Sequence, residues 1–168
     1  MNIPSDVIMP DSMDSGDFAI RAEHEAQINQ SWRWFFWLAG LSLINSIIFL
    51  ADGDIQFIFG LAITQYVDAI MKLISEGSAN VSLLSGLGFV INLIIAGMVA
   101  GMGVFAIRGM AWIFLVGMVL YAIDGFLFLI AASWLGVLFH AWVFFAFFKG
   151  FRACNQLKAL DKPEFQNL

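Results

Sequence analysis

Four strongly polar residues interrupt the long hydrophobic stretches of this sequence: Asn45, Asn92, Asp124 and His140. A carboxylate beside an imidazole can exchange a proton or bind a cation, and asparagine amides can assist by hydrogen bonding. An aspartate is costly in an apolar environment, by about 2.5 to 3.5 kcal/mol at the centre of a lipid-embedded helix. These residues therefore need either partners within the fold or a chemical task.

The surroundings of these residues follow from the composition. Of 168 residues, 61% are hydrophobic and 12% are charged, whereas soluble domains average about 45 to 50% and about 25%. The charges are also segregated, since six of the thirteen acids precede residue 32 and four of the eight lysines and arginines lie from Lys149 onward. This distribution leaves a middle region suited to lipid, so a bilayer is the expected surrounding.

Four segments are long and apolar enough to cross a bilayer as helices. A crossing takes roughly 20 residues, because about 30 Å must be spanned at 1.5 Å per residue. The sequence therefore predicts an all-α polytopic membrane protein with spans at about residues 32–51, 83–107, 111–131 and 134–151. They belong to a membrane domain at 17–153, between a flexible acidic N-terminal tail at 1–16 and a cytoplasmic C-terminal tail at 154–168.

A fifth helix, predicted at 55–76, is amphipathic. Its polar face carries Thr64, Gln65, Asp68 and Lys72, which is more polarity than lipid tolerates. We expect this helix to lie along the outer surface or to dip into the bilayer and return. A fifth crossing, with the polar face packed inside the bundle, is the alternative.

The positive residues favour four crossings. If 55–76 does not cross, seven of the eight lysines and arginines share one side of the membrane and only Lys72 lies on the other. If it crosses, the division is three against five. Cytoplasmic loops are enriched in lysine and arginine, so we expect four spans with both termini in the cytoplasm.

Residue counting places the four polar residues in the same half of the bilayer. Asp124 and His140 lie eight residues on either side of Ala132 in the outer turn, so both are on the order of 10 Å below the boundary. We predict a buried polar cluster in which they form a hydrogen bond, as an ion pair or as a neutral imidazole with a protonated acid. The cluster serves either the pairing of helices or the movement of a proton or cation.

Small residues predict where the second span packs. Gly97 and Gly101 form a G-x-x-x-G pair, which allows two helix backbones to approach closely. A second small or polar stripe lies on another face of the same helix, at Ser85, Gly88, Asn92, Ala96 and Gly103. The helix is thus expected to contact two neighbours within the chain, or one neighbour and a second copy.

Several other classes of site lack support in the sequence. No basic patch with interleaved aromatic residues suggests nucleic-acid binding. Cys154 is the only cysteine, which excludes an intramolecular disulfide and a cysteine-based zinc site. A catalytic zinc usually has three protein ligands, yet the only histidines are His24 and His140. We therefore expect no catalytic residues, no metal and no cofactor.

The sequence resembles small multi-pass bacterial membrane proteins whose activities are uncharacterised. The similarity covers most of residues 32–153 and is clearest in the elements YAIDG and FHAW, which contain Asp124 and His140. The resemblance implies a bacterial inner (plasma) membrane and transfers no catalytic residue.

Three functional hypotheses follow. The first is a non-enzymatic accessory or scaffold protein that packs beside a larger membrane complex or its own copy. The alternative is a small proton- or cation-linked transporter or channel-like protein that uses Asp124 and His140. The third is an intramembrane enzyme. An open, wetted route to Asp124 would favour transport, and a dry cluster beside an exposed glycine or aromatic face would favour a scaffold.

Overall fold

The computed structural model describes residues 15–51, 59–76 and 80–161, and these residues form five α-helices. The helices are α1 (Ser15–Leu50), α2 (Ala62–Ser75), α3 (Val81–Ile107), α4 (Ala111–Ile130) and α5 (Trp134–Leu160). The predicted fold class, four long apolar helices and one shorter helix, is confirmed.

Helix length separates α2 from the other four. Helices α1, α3, α4 and α5 have 36, 27, 20 and 27 residues, and each contains a stretch apolar enough to cross a membrane. Helix α2 has 14 residues, which corresponds to about 21 Å against a hydrocarbon thickness of about 30 Å. The chain is therefore a multi-pass membrane protein in which α2 is too short to span.

Two helices extend beyond the predicted spans. Helix α1 begins at Ser15 and α5 continues to Leu160, so residues 154–160 of the predicted C-terminal tail are part of α5. The extensions stay helical because they pack on each other. Ile28 is buried between them, and Arg21 forms an ion pair with Asp161 at 2.7 Å. The predicted N-terminal tail falls mainly at 1–14, outside the described residues.

Helix α1 is central in the bundle. It packs against α3 on one side and α5 on another, and α5 packs in turn against α4. The middle of this arrangement is aromatic, with the Phe35 and Phe147 rings stacked at 4.3 Å and Phe114 beside them. Helices α3 and α4 follow each other in the chain but contact each other little, so a cleft opens between them.

The chain turns back into the bundle before α2 begins. The amide nitrogen of Asn45 donates a hydrogen bond to the Phe59 carbonyl at 3.0 Å, and the Leu61 N–H donates one to the Ser42 hydroxyl at 2.9 Å. Ser42 lies eight residues before the end of α1 at Leu50, about 12 Å along the helix axis. Helix α2 therefore starts within the bundle.

From this buried start, α2 runs back toward the end of α1. The ammonium group of Lys72 lies 5.7 Å from the centre of the Phe49 ring, one residue before the last residue of α1. A helix that begins inside the bundle and returns to the same end is re-entrant. Of the two placements expected from the sequence, the dipping one describes this geometry.

The polar face of α2 points inward. Thr64 and Asp68 are buried, whereas Ile70, Leu73 and Ile74 are exposed. A helix lying on the membrane surface would have the opposite orientation, with polar groups in water. The surface placement therefore does not describe α2, because Thr64 and Asp68 face the bundle and Asp68 has hydrogen-bonding partners on α1 and α3.

Helix α3 uses only one of its two small-residue stripes within the chain. Gly88, Asn92, Ala96 and Gly103 are buried, whereas a Cβ atom added at Gly97 or Gly101 would meet no neighbouring atom within 4 Å. Of the two arrangements expected from the sequence, the one in which both stripes contact neighbours within the chain does not occur. Asn92 must face inward to reach its partners, and Gly97, five residues later, then points about 140° away.

Candidate functional site

Asp124 of α4 is the centre of the polar interior. One carboxylate oxygen, Oδ2, lies 2.8 Å from His140 Nε2 and accepts a hydrogen bond from the Ala62 N–H at 2.8 Å. The other oxygen, Oδ1, accepts a hydrogen bond from the Ile63 N–H at 2.9 Å. Only 6% of the Asp124 surface is exposed. The carboxylate is thus held by groups from α2 and α5 at once.

The contacts with α2 have a simple structural cause. The first N–H groups of a helix have no carbonyl partner within that helix, and the residue before α2, Leu61, carries no side chain that could accept. Asp124 supplies this cap from a different helix, while Ser42 accepts from the Leu61 N–H. The helix N-terminus has partial positive charge, which stabilises a carboxylate placed there.

His140 is oriented by its second ring nitrogen. Nδ1 lies 2.9 Å from the Gly136 carbonyl oxygen, which can only accept, so Nδ1 carries a hydrogen. Nε2 and the Asp124 oxygen are 2.8 Å apart, a distance at which two bare acceptors would repel. One proton therefore lies between them. The pair is either imidazolium with carboxylate or imidazole with carboxylic acid, and it has no net charge in either form.

The imidazole ring is also fixed by packing. The Tyr121 ring stacks on it with centroids 4.1 Å apart and an interplanar angle of 11°. On the same helix, Gly125 leaves room for the ring, since a Cβ atom there would lie 3.0 Å from the His140 Cβ. The absence of a side chain at Gly125 lets α4 and α5 approach closely enough for the hydrogen bond between Asp124 and His140.

A second polar cluster lies along the buried face of α2. The Asn92 amide nitrogen is 2.7 Å from Asp68 Oδ1 and 2.7 Å from the Ser46 hydroxyl, and 3.2 Å from the Thr64 carbonyl. The Ser46 hydroxyl donates to Asp68 Oδ2 at 3.0 Å. Burial raises the pKa of the Asp68 carboxyl, while the hydrogen bonds from Ser46 and Asn92 lower it. This cluster joins α1, α2 and α3.

The four residues singled out in the sequence thus fall into separate groups. Asp124 and His140 are in contact, as expected from their depth. Asn92 belongs instead to the second cluster, with Asp68, and Asn45 holds the backbone just before α2. The expectation of a single four-residue cluster is therefore wrong. Helix α2, inserted between the groups, separates them and supplies partners to each.

Sequence reasoning missed Ser42, Ser46 and the N–H groups of α2 as members of the site. A signal for the serines was present, because Ser42, Asn45 and Ser46 lie at helical spacing on one face of α1. That polar stripe matches the polar face of α2. Of the other residues predicted on that face, Gln65 is half-buried and Lys72 is exposed.

The cleft between α3 and α4 adjoins this site and has a volume of about 500 Å³. Asp124 and Tyr121 form part of its wall, and the remaining walls are apolar, including Ile95, Met98, Met102, Leu120, Ile123 and Leu127. Its size is that of a small-molecule pocket. The walls of the cleft are mostly apolar, as on a protein surface that faces lipid. A water-filled channel would have polar walls.

The arrangement can hold a helix end in place and can keep one proton between Nε2 and Oδ2. Among the residues that the structure describes, no group of three histidine, cysteine or acidic side chains is placed to hold a metal ion. In comparisons with family models, curated proteins and solved structures, nothing matches this chain. Function therefore has to be inferred from the geometry.

Asp124→Asn is expected to destabilise the fold by about 1 to 3 kcal/mol, the cost of leaving a buried donor or acceptor unpaired. The Ala62 and Ile63 N–H groups bond to different carboxylate oxygens of Asp124. An asparagine has only one oxygen, so its NH₂ group would face one of these two N–H donors. The free energy of unfolding in detergent micelles measures this effect. The matched control is Asp161→Asn, which removes a largely exposed ion pair and should change little. Similar small effects for both substitutions would contradict a structural role of Asp124.

Proposed function

We propose that the chain is a non-enzymatic accessory or scaffold protein of a membrane, which packs beside a larger membrane complex or a second copy of itself. The observation that supports this most directly is that both carboxylate oxygens of Asp124 are hydrogen-bonded within the fold. Its three close contacts all go to α2 and α5. A carboxylate used in this way serves the fold, and the exposed apolar faces are then the surfaces left for interaction.

The outer face of α3 is the best candidate for that packing. Gly97 and Gly101 have open space around them, and the exposed side chains Val90, Leu93 and Val104 continue the same face. Helices in lipid gain little from the hydrophobic effect when they associate, so close approach at small residues provides most of the attraction. This face fits a transmembrane helix of a partner or the α3 of a second copy.

The double variant Gly97→Leu with Gly101→Leu should abolish that association while leaving the fold intact, because nothing in the chain occupies the space. Cross-linking in intact membranes, followed by purification in mild detergent, measures the associated species. Gly40→Leu on α1 is the matched control, since a Cβ atom at Gly40 also meets no neighbour within 4 Å. A wild-type chain that stays a lone monomer in both steps would contradict the proposal.

The alternative of proton- or cation-linked transport has observations of its own. Helix α2 is a half-helix whose N-terminus lies inside the bundle, a feature of substrate and ion sites in transporters. One proton lies between Asp124 and His140. In the part of the chain that the structure describes, the buried Asn92 Oδ1 and Tyr121 hydroxyl have no hydrogen-bond partner. The apolar walls of the adjacent cleft favour the scaffold over this alternative.

Reconstitution into lipid vesicles that contain a pH-sensitive dye distinguishes the two functions. A scaffold should give no proton flux above that of empty vesicles when a pH gradient is imposed. Flux that disappears in Asp124→Asn, or in Tyr121→Phe, which removes only a hydroxyl group, would favour transport instead. The Tyr121 variant guards against loss of flux through unfolding. The third hypothesis, an intramembrane enzyme, would have to use the cleft, whose one carboxylate is already occupied.

We further propose a bacterial inner membrane, with both termini in the cytoplasm. The ion pair between Arg21 and Asp161 supports a common side for the two ends of the chain. The same end of the bundle also has Arg33, Arg108, Lys149, Arg152 and Lys158, whereas Lys72 lies near the opposite end, beside Phe49. Cytoplasmic sides of membrane proteins are enriched in lysine and arginine.

Cysteine labelling tests this orientation. In a chain with Cys154→Ser, Lys72→Cys should react with a membrane-impermeant maleimide added from the periplasmic side. Arg108→Cys should react only after the cells are lysed. Both positions are exposed on the described chain, so accessibility within the fold is matched. Labelling of Lys72→Cys only after lysis, with Arg108→Cys labelled from the periplasmic side, would reverse the orientation.

A further inference from the structure

A second groove, of about 400 Å³, lies between α1 and α5, away from the polar interior. It is formed by two stripes of side chains with the same helical spacing. On α1 these are Gln27, Gln30, Ser31 and Trp34, and on α5 they are Trp142, Phe145, Ala146 and Lys149. Such spacing places each stripe along one side of its helix, so the groove runs parallel to the helix axes.

The groove crosses the boundary between the polar and apolar parts of these helices. Gln27 and Gln30 precede the apolar span of α1, and Lys149 follows the last phenylalanine of the apolar run in α5. Trp34 and Trp142 lie on the apolar side of this boundary. Indole rings favour the interface between hydrocarbon and headgroups. One end of the groove is thus polar and the other aromatic, which is the pattern of an amphiphilic ligand.

The charge at the polar end is not neutralised by the protein. The Lys149 ammonium lies 4.9 Å from the centre of the Phe145 ring, and no carboxylate within the described residues forms an ion pair with it. The acids of α1 that precede Gln27 by the shortest sequence separation, Glu23 and Glu25, are both exposed and lie farther from the apolar span than Gln27. Lysine binds phosphate groups as a point charge, and basic pockets between helices bind anionic lipid headgroups.

We propose that this groove binds one phospholipid with an anionic headgroup. Lys149 pairs with the headgroup phosphate, the amide of Gln30 donates a hydrogen bond beside it, and an acyl chain lies against Trp34 and Trp142. The positive charge of Lys149 favours an anionic headgroup. The rings of Trp34 and Trp142 favour a lipid with an acyl chain over a soluble anion. This site is independent of the accessory function and of the outer face of α3.

Native mass spectrometry of the full chain in mild detergent tests the site, with phosphatidylglycerol and phosphatidylcholine that have identical acyl chains. Wild-type protein should retain phosphatidylglycerol preferentially. Lys149→Gln should lower its retention about fivefold, the effect of one lysine near an anionic lipid surface. The same substitution should lower the retention of phosphatidylcholine less, because the choline ammonium already neutralises the phosphate of that lipid. Trp142→Ala should lower the retention of both lipids. Lys158→Gln removes the same charge from an exposed position of α5 outside the groove and should match the wild type.

Two results would overturn the proposal. Equal retention of phosphatidylglycerol by Lys149→Gln and Lys158→Gln would mean that lipid follows the overall charge rather than the groove. Displacement of the lipid by soluble glycerol phosphate at comparable concentration would mean that the groove takes a free phosphate and not a lipid. Lys149 is exposed, so its substitution should leave the unfolding midpoint unchanged, and that measurement separates lost binding from lost fold.

Discussion

A helix that begins inside a membrane protein must find acceptors for its first N–H groups, and here Asp124 provides them for α2. The rest of the interior depends on this contact. With its N-terminus held at Asp124, α2 presents Thr64 and Asp68 to α1 and α3. Asn92 then has to face Asp68, and this rotation of α3 leaves Gly97 and Gly101 on the outside. The exposed face is thus a consequence of a hydrogen bond formed elsewhere.

The same distribution of polar contacts explains the cleft. Hydrogen bonds join α2 to α4, α4 to α5, and α1 to α2 and α3. Within the described residues none of the observed side-chain hydrogen bonds joins α3 directly to α4, and the two helices touch little. Hydrophobic side chains supply little attraction between helices in lipid. The result is a bundle with a polar interior that is largely satisfied and with apolar surfaces open to other molecules, which is the basis of the proposed accessory role.

The elements that could be predicted are those that depend on local sequence. The four spans follow from apolar length, and the observed helices contain them to within one residue. Helices α1 and α5 extend farther, because Ile28 is buried where the extensions pack on each other. The meeting of Asp124 and His140 follows from equal residue counts on either side of a tight turn. Helix α2 is different, because its amphipathic pattern fits both a surface helix and a buried one. Pattern alone does not say whether polar side chains face water or one another.

The sequence by itself determined that this is a four-span helical membrane protein with an aspartate and a histidine at one depth. Apolar length and residue spacing act within single helices, so they need no knowledge of neighbours. Only the tertiary structure decided that the backbone of α2 would share Asp124 with His140, that Asn92 would join Asp68, and that Gly97 and Gly101 would be left open. Backbone N–H groups are the same in every sequence, and which of them lack partners depends on where a helix starts in three dimensions.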